Sequence, residues 1–301
     1  MVAYHLLPFE RLQKKVIEAE AALKKCILCP RRCGVNRTAG EKGFCGSSDR
    51  PFVASWGSHF GEERPLVGRF GSGTIFFGRC NLGCVFCQNW TISQKGEGKE
   101  ISVEKLSKIM LELQETGCHN INLVTPTHQL PVILRSLMIA KDMGLRLPLV
   151  YNCGGYESLE SLALLDGVVD IYMPDFKYAD AETALQYSRA KDYPQAAKAA
   201  LREMHRQVGD LTIDERGIAV RGLLVRHLVL PENIAGTGEI VRFIAREIST
   251  DTYLNIMDQY CPHHKAQENP PLDRRITNRE YMAAIDLARK AGMKRIAGVT
   301  A

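Results

Sequence analysis

No stretch of this chain comes near the roughly 20 consecutive apolar residues that a membrane-spanning helix needs, so no such helix is expected. The opening residues, MVAYHLLPFERLQKKV, turn charged too early for the apolar core of a secretory signal, and a cytoplasmic protein is expected. There is no internal repeat, which sets aside solenoids and propellers, and no low-complexity segment. Nor is there a large excess of one charge: 39 Lys and Arg stand against 34 Asp and Glu, a net +5, and the densest basic runs are short, such as the pairs Lys24-Lys25 and Arg31-Arg32. Such pairs suit a solvated surface, or at most an acidic electron-donor protein. Without a basic stripe interleaved with aromatics, nucleic-acid binding is not expected.

What the chain does have is an ordinary globular composition, 45% hydrophobic and 24% charged over 301 residues, enough for one large domain or two small ones. It also has ten cysteines, seven of them in two clusters before residue 90. In a reducing cytosol, clustered cysteines are metal ligands or catalytic groups rather than disulfides.

Leu6, Leu7, Phe9, Leu12, Val16 and Ala19 recur at helical spacing, predicting a helix over 5–25. Residues 26–70 are glycine-punctuated and expected to be loop-rich. From about residue 73, short apolar runs alternate with amphipathic segments. Strands are predicted at 74–78, 121–125, 147–152, 168–173, 223–230 and 253–257, with a seventh over 295–299. Helices are predicted near 103–116, 130–143, 157–165, 180–208, 238–247 and 278–291. This alternation indicates an α/β fold with a parallel sheet, and six units suggest a barrel or partial barrel with its active site at the C-terminal strand ends. Two units are expected: an N-terminal helix with a cysteine-rich extension (1–70) and the barrel domain (71–301).

The most specific motif is Cys80-Asn-Leu-Gly-Cys84-Val-Phe-Cys87, directly after the first predicted strand. Three thiolates in one loop suit an iron–sulfur cluster and leave one iron of a [4Fe-4S] cubane without a local ligand. An open position at a metal is where a substrate or cofactor binds. The other readings of the loop are a structural zinc site or an electron-transfer cluster with a distant fourth ligand.

This spacing, with Phe86 before the third cysteine, resembles the radical S-adenosylmethionine (SAM) superfamily. The segment GSGTIFFGRCNLGCVFCQNWTIS looks like a branch related to the pyruvate formate-lyase activating enzyme, a likeness extending from Cys26 to about Pro262. The resemblance implies a partial (β/α)6 barrel, a [4Fe-4S] cluster on Cys80, Cys84 and Cys87, and SAM on the open iron. It implies reductive cleavage of SAM, a 5′-deoxyadenosyl radical and hydrogen abstraction, with flavodoxin or ferredoxin as electron donor. It places Phe86 and Asn89 of the loop beside the cofactor. Asn152-Cys-Gly-Gly-Tyr156 resembles the family's Asn-Gly segment, and Asp175-Phe-Lys177 its Asp-x-Lys motif, which lies near the SAM carboxylate and helps form a monovalent cation site. Arg226 resembles the arginine facing SAM. Because strand residues alternate, it is expected in the lumen and His227 against the helices.

One departure stands out. Where the activases have Gly-Gly-Glu-Pro, this chain has Thr125-Pro-Thr-His128. The SAM amino group must then meet Thr125 or Thr127, backbone carbonyls or His128, unless His128 serves a substrate as acid or base. Tyr260, His263 and His264 are expected near the barrel mouth, with Tyr260 beside SAM. Cys118 and Cys153 are expected to be buried, although Cys153 and Cys261 fall at strand ends and can face the cavity.

The first cluster, Cys26, Cys29, Cys33 and Cys45, resembles the same branch. Four thiolates suit zinc, a rubredoxin-like iron or an auxiliary cluster, and ligand count does not separate them; the remaining possibility is four reduced cysteines near the mouth. The substrate is a protein glycine, as in glycyl radical enzyme activation, or a small molecule or peptide. The alternative from another class is a non-catalytic iron–sulfur or zinc protein.

Overall fold

The computed structural model describes residues 2–297. Its strands are β1 (Phe52–His59), β2 (Ser72–Phe77), β3 (Lys99–Glu100), β4 (Ile121–Val124), β5 (Leu149–Cys153), β6 (Ile171–Pro174), β7 (Thr212–Ile213), β8 (Ala219–Leu228), β9 (Tyr253–Met257) and β10 (Ile296–Ala297). Its helices are α1 (Ala3–Leu6), α2 (Phe9–Ala21), α3 (Arg64–Val67), α4 (Val103–Glu115), α5 (Leu130–Asp142), α6 (Leu159–Leu165), α7 (Ala181–Ser188), α8 (Tyr193–Val208), α9 (Thr237–Phe243) and α10 (Asn278–Lys290).

The strands join in one sheet of order β10-β9-β8-β6-β5-β4-β2-β1-β3, with β7 beside β8. From β2 to β10 every neighbour along this path is parallel. Sequential parallel strands joined by helical crossovers are the pattern of a β/α barrel. The path ends at β3 and β10 without closing on itself, as a partial barrel does. The expected α/β fold is therefore what the chain adopts. Residues 298 and 299 of the seventh predicted strand lie outside the described residues.

Alternation along the strands sorts the side chains into two cores. Val150, Ile171, Met173 and Leu224 face inward and pack with Leu66 of α3, Leu211 and Ala219. Leu123, Tyr151, Tyr172, Leu223 and Val225 face outward into the larger core beneath the helices. Each fully buried Leu or Ile contributes about 1.5–3 kcal/mol.

Two expectations need correction and a third needs an addition. The predicted helix 5–25 is two helices, because Pro8 sits at φ −54°, ψ 146° and starts α2 afresh. The predicted helix 180–208 breaks where Arg189 turns to φ +56° and Pro194 opens α8. Residues 26–70 are loop-rich, as expected, but not without regular structure. They include β1, which pairs antiparallel with β2 from Val53↔Phe77 to His59↔Ser72, so the sheet extends across residue 70.

Candidate functional site

The end of β2 delivers Cys80, Cys84 and Cys87 at the C-terminal edge of the sheet. Arg79, at φ +74°, turns the chain out of the strand, and its amide donates to the Ile92 carbonyl (2.9 Å), closing the loop on itself. A polar neighbour stands beside each sulfur. The Leu82 amide donates to Cys80 Sγ at 3.3 Å, the Ser188 hydroxyl donates to Cys84 Sγ at 2.9 Å, and the Ser93 hydroxyl lies 3.3 Å from Cys87 Sγ. Donors aimed at sulfur favour thiolate and tune a bound cluster. Burial pushes the Cys80 thiol well up and raises that of Cys84, and the nearby Lys177 ammonium opposes both shifts.

The loop is clamped from two sides. Gly83 and Val85 amides donate to the Ser188 (3.3 Å) and Tyr187 (2.9 Å) carbonyls at the end of α7, and the Lys265 amide donates to the Val85 carbonyl (2.8 Å). Phe86 is buried, with Tyr178 and Tyr260 edge-on to its ring at 6.4 and 5.8 Å. Asn89 is exposed. The Asn81 side chain donates to the Tyr156 carbonyl (2.7 Å), tying the loop to the segment after β5. In that segment Gly155, at φ +76°, is obligatory: a Cβ there would stand 2.2 Å from the Asp175 carbonyl oxygen. This close approach brings Asn152 and Asp175 to the same edge.

Lys177 Nζ pairs with Asp175 at 2.5 Å. Burial works against its charge, but Asp175 and the Cys84 sulfur outweigh it and hold the ammonium above the ordinary lysine range. The sequence motifs around Cys80, Asn152 and Asp175-Lys177 thus converge at one place.

Arg226 lies opposite Asp175 and beside Asn255 in the sheet. His227 is fully buried on the other face, bonded to the Phe176 carbonyl and the Thr237 hydroxyl at 2.8 Å each. The alternation read from the sequence holds here. Arg226, however, is already engaged. Its guanidinium pairs with Glu62 and, at 2.6–2.7 Å, with Glu63, which also accepts from Asn255 Nδ2 at 2.6 Å. Glu62, Glu63 and Asn255 were not foreseen. The available signal was that a buried arginine requires a partner, but the partners are far away in the chain.

Several other expected residues bond partners outside Cys80–Cys87. Thr125 adopts φ +59°, rare for a β-branched residue, and its amide donates to the Asn152 carbonyl (2.8 Å). Thr127 donates to Glu157 Oε1 at 2.6 Å, and Tyr151 to Oε2 at 3.1 Å. Burial raises that carboxyl to about 7. His128 is 2% exposed, with Nε2 2.8 Å from the Gly78 carbonyl, and burial lowers it to about 4. It braces the end of β2, which corrects the expectation of an acid–base role at the mouth. Tyr260 likewise donates its hydroxyl to the Leu272 carbonyl (2.6 Å), so it backs Phe86 instead of reaching outward. His264 stacks on Trp90 at 5.0 Å, and His263 is exposed. Cys118 and Cys153 are buried as expected, Cys153 in the outer core.

The first cysteine set forms a knuckle docked against this site. Cys26, Cys29, Cys33 and Cys45 line one small cavity together with Arg31, Phe44, Asn81 and His128. Arg31 Nε donates to the Asn81 carbonyl at 2.5 Å, and its guanidinium lies 3.4 Å from the Phe44 ring centroid. Arg37 Nη1 donates to the His128 carbonyl at 2.9 Å.

Comparison with known proteins adds a family. The model of the radical SAM superfamily matches residues 74–244. An uncharacterized protein of Methanocaldococcus jannaschii, MJ0674, is 35% identical over 289 residues, covering 93% of this chain and 78% of its own. A second from that organism, MJ0808, is 25% identical over 267 residues, covering 82% and 73%. Among solved structures, HydG, a maturase of the [FeFe]-hydrogenase, aligns with a TM-score of 0.47 at 10% identity over 96% of this chain, which spans 62% of that longer chain. Methylornithine synthase (PylB) aligns with a TM-score of 0.45 at 14% identity, covering 98% of this chain and 79% of its own.

Proposed function

From the premise that the chain belongs to the radical SAM superfamily, we propose that it cleaves SAM reductively and abstracts a hydrogen atom from its substrate, with Cys80, Cys84 and Cys87 as the cluster ligands. The family implies a [4Fe-4S] cluster and SAM; when bound, the reduced cluster supplies the electron for cleavage. The observation that carries the assignment is the loop itself, three sulfurs each beside a polar hydrogen at the C-terminal edge of a parallel sheet. That donor set fits an anionic cluster held by thiolates.

The chain's own residues hold and orient. Cys80, Cys84 and Cys87 bind iron. Lys177, kept charged by Asp175, offers a point charge to a carboxylate such as that of SAM. Asn152, at the end of β5, offers an amide on the inner face. Thr125, its amide held by the Asn152 carbonyl, offers its own carbonyl and hydroxyl where the activases place a glutamate. Phe86, Tyr178 and Tyr260 wall the loop and exclude water. Arg226 belongs to this reading as a lumen residue whose charge Glu62 and Glu63 compensate.

Within this reading, the loop and the Asp175-Phe-Lys177 motif support activation of a glycyl radical enzyme. A small-molecule substrate is the second reading, favoured by the polar inner face built from Arg226, Glu62, Glu63 and Asn255. The test is anaerobic reconstitution followed by reduction with dithionite. We expect 5′-deoxyadenosine from the wild-type protein, and none from Cys84→Ala, which should keep its fold by circular dichroism. Full activity in Cys84→Ala, or no 5′-deoxyadenosine from fully loaded wild type, overturns the assignment. Deuterium carried into 5′-deoxyadenosine from a labelled protein glycine or from a labelled small molecule then separates the two substrate readings.

A further inference from the structure

We propose that Cys26, Cys29, Cys33 and Cys45 hold a second, fully protein-ligated metal centre, a zinc ion or an iron–sulfur cluster, docked directly on the catalytic loop. All four are free thiols, and all four line one cavity.

They are not placed as free cysteines usually are. An unliganded cysteine behaves as a small buried hydrophobe. Cys118 and Cys153 do so, each 2% exposed. In the knuckle only Cys26 is buried; Cys29 and Cys45 are half-buried and Cys33 is exposed. Packing therefore does not account for three of the four.

The backbone is shaped around the sulfurs. The Cys26 amide donates to the Val35 carbonyl (2.9 Å) and the Gly34 amide to the Cys26 carbonyl (3.0 Å), closing a knuckle over residues 26–35. Gly34 takes φ +69° in that turn. Residues 43–46 then fold over Cys33. A Cβ on Gly43 would stand 2.9 Å from Cys33 Sγ, so only glycine fits there, and the Phe44 amide points at the same sulfur at 3.5 Å. An amide aimed at sulfur favours the thiolate that a metal needs. Arg31 and Arg37 line the cavity as well, and their charges offset that of four thiolates around a metal. Among the described residues no three ligating side chains converge to single-ion reach, so loading must draw the four sulfurs inward.

The difference from the catalytic loop lies in the ligand count. Three cysteines leave an open position, whereas four complete a tetrahedral zinc or a closed cluster. The centre thus has a holding role, and what it holds is the catalytic loop. Arg31, between two of its ligands, bonds the carbonyl of Asn81, the residue after Cys80.

The test uses the full chain with Cys80, Cys84 and Cys87 all replaced by Ala, loaded anaerobically with zinc in one arm and with iron and sulfide in the other. We expect stoichiometric metal in one arm. Zinc without sulfide identifies the ion, and iron with matching acid-labile sulfide identifies the cluster. Adding Cys29→Ala and Cys45→Ala should remove that metal. No stoichiometric metal in either arm, or retention unaffected by those two substitutions, overturns the proposal. Because the triple variant can fail to fold, the wild-type protein gives an independent readout. Zinc-edge absorption showing four sulfurs, or a Mössbauer spectrum with a second iron environment, supports the site. A single three-cysteine cluster with no zinc overturns it.

Discussion

Glu157 follows Tyr156, whose carbonyl accepts from Asn81 of the cysteine loop. Its carboxyl is 2% exposed, takes hydrogen bonds from Thr127 and Tyr151, and is raised by burial from 4.5 to about 7. The fold therefore prefers the protonated form. That contribution is fully present below about pH 4.5 and is lost as pH rises through 7. The wild-type minus Glu157→Gln stability difference should fall by up to about 1.4 kcal/mol per pH unit across that window, measured by urea unfolding at several pH values. A flat difference would show that the carboxyl ionises normally in the fold. His128 and His227 act in the opposite sense. Burial lowers both to about 4, so their contribution grows as pH rises from about 4 to 6.5. At the same scale, the place of the three cysteines in the loop after β2 and the inward side of Arg226 were legible in the sequence, because spacing and alternation are local. The partners of Arg226 were not. Glu63 is 163 residues away, and nothing local marks it. Removing the guanidinium strands two buried carboxylates, so Arg226→Ala should cost about 3–5 kcal/mol. Adding Glu63→Gln should restore part of the lost melting temperature.

Helices and strands followed their periodicity wherever a single face is buried. Leu12, Val16 and Ala19 of α2 sit at helical spacing and are buried, and α2 packs on α5 and α6. The misses were at prolines and at the sheet edge. Pro8 and Pro194 divide runs whose apolar period continues across them. β1 escaped because its Phe-Val-Ala-Ser-Trp-Gly-Ser-His run lacks a steady alternation, and its burial is correspondingly uneven. α3 was hidden too, being one turn long, yet it seats Leu66 in the inner core with Val150, Ile171 and Leu224. Its importance follows from packing rather than length. Leu66→Ala should cost about 2–5 kcal/mol through the cavity it leaves, read as a lower urea midpoint with an unchanged slope. A cost below 0.5 kcal/mol, the range of surface substitutions, would mean that α3 is dispensable to the inner core.

At the scale of the molecule, the α/β order was legible because each β/α unit repeats the same pattern, whereas the knuckle's docking depends on contacts across the chain. The charge around the active edge belongs to this scale as well. The net charge is only +5, but exposed Lys95, Arg189 and Lys265 all flank the catalytic loop. Lys95 lies over Trp90 at 4.4 Å, Arg189 lies along Gly83, and Lys265 bonds Val85 through its amide. We propose that an electron-donor protein meets that rim; an acidic one, such as a flavodoxin, would be drawn to it through water. Screening shortens that reach from about 10 Å at 0.1 M salt to about 3 Å at 1 M. The flavodoxin-driven rate of 5′-deoxyadenosine formation should therefore fall steeply over this salt range, and the dithionite-driven rate should fall far less. Lys95→Glu with Lys265→Glu should lower the flavodoxin rate at low salt, remove most of its salt dependence, and leave the dithionite rate within about twofold, well under the tenfold that 1.36 kcal/mol in a barrier represents. A flavodoxin rate indifferent to both salt and charge reversal would place electron entry elsewhere on the surface.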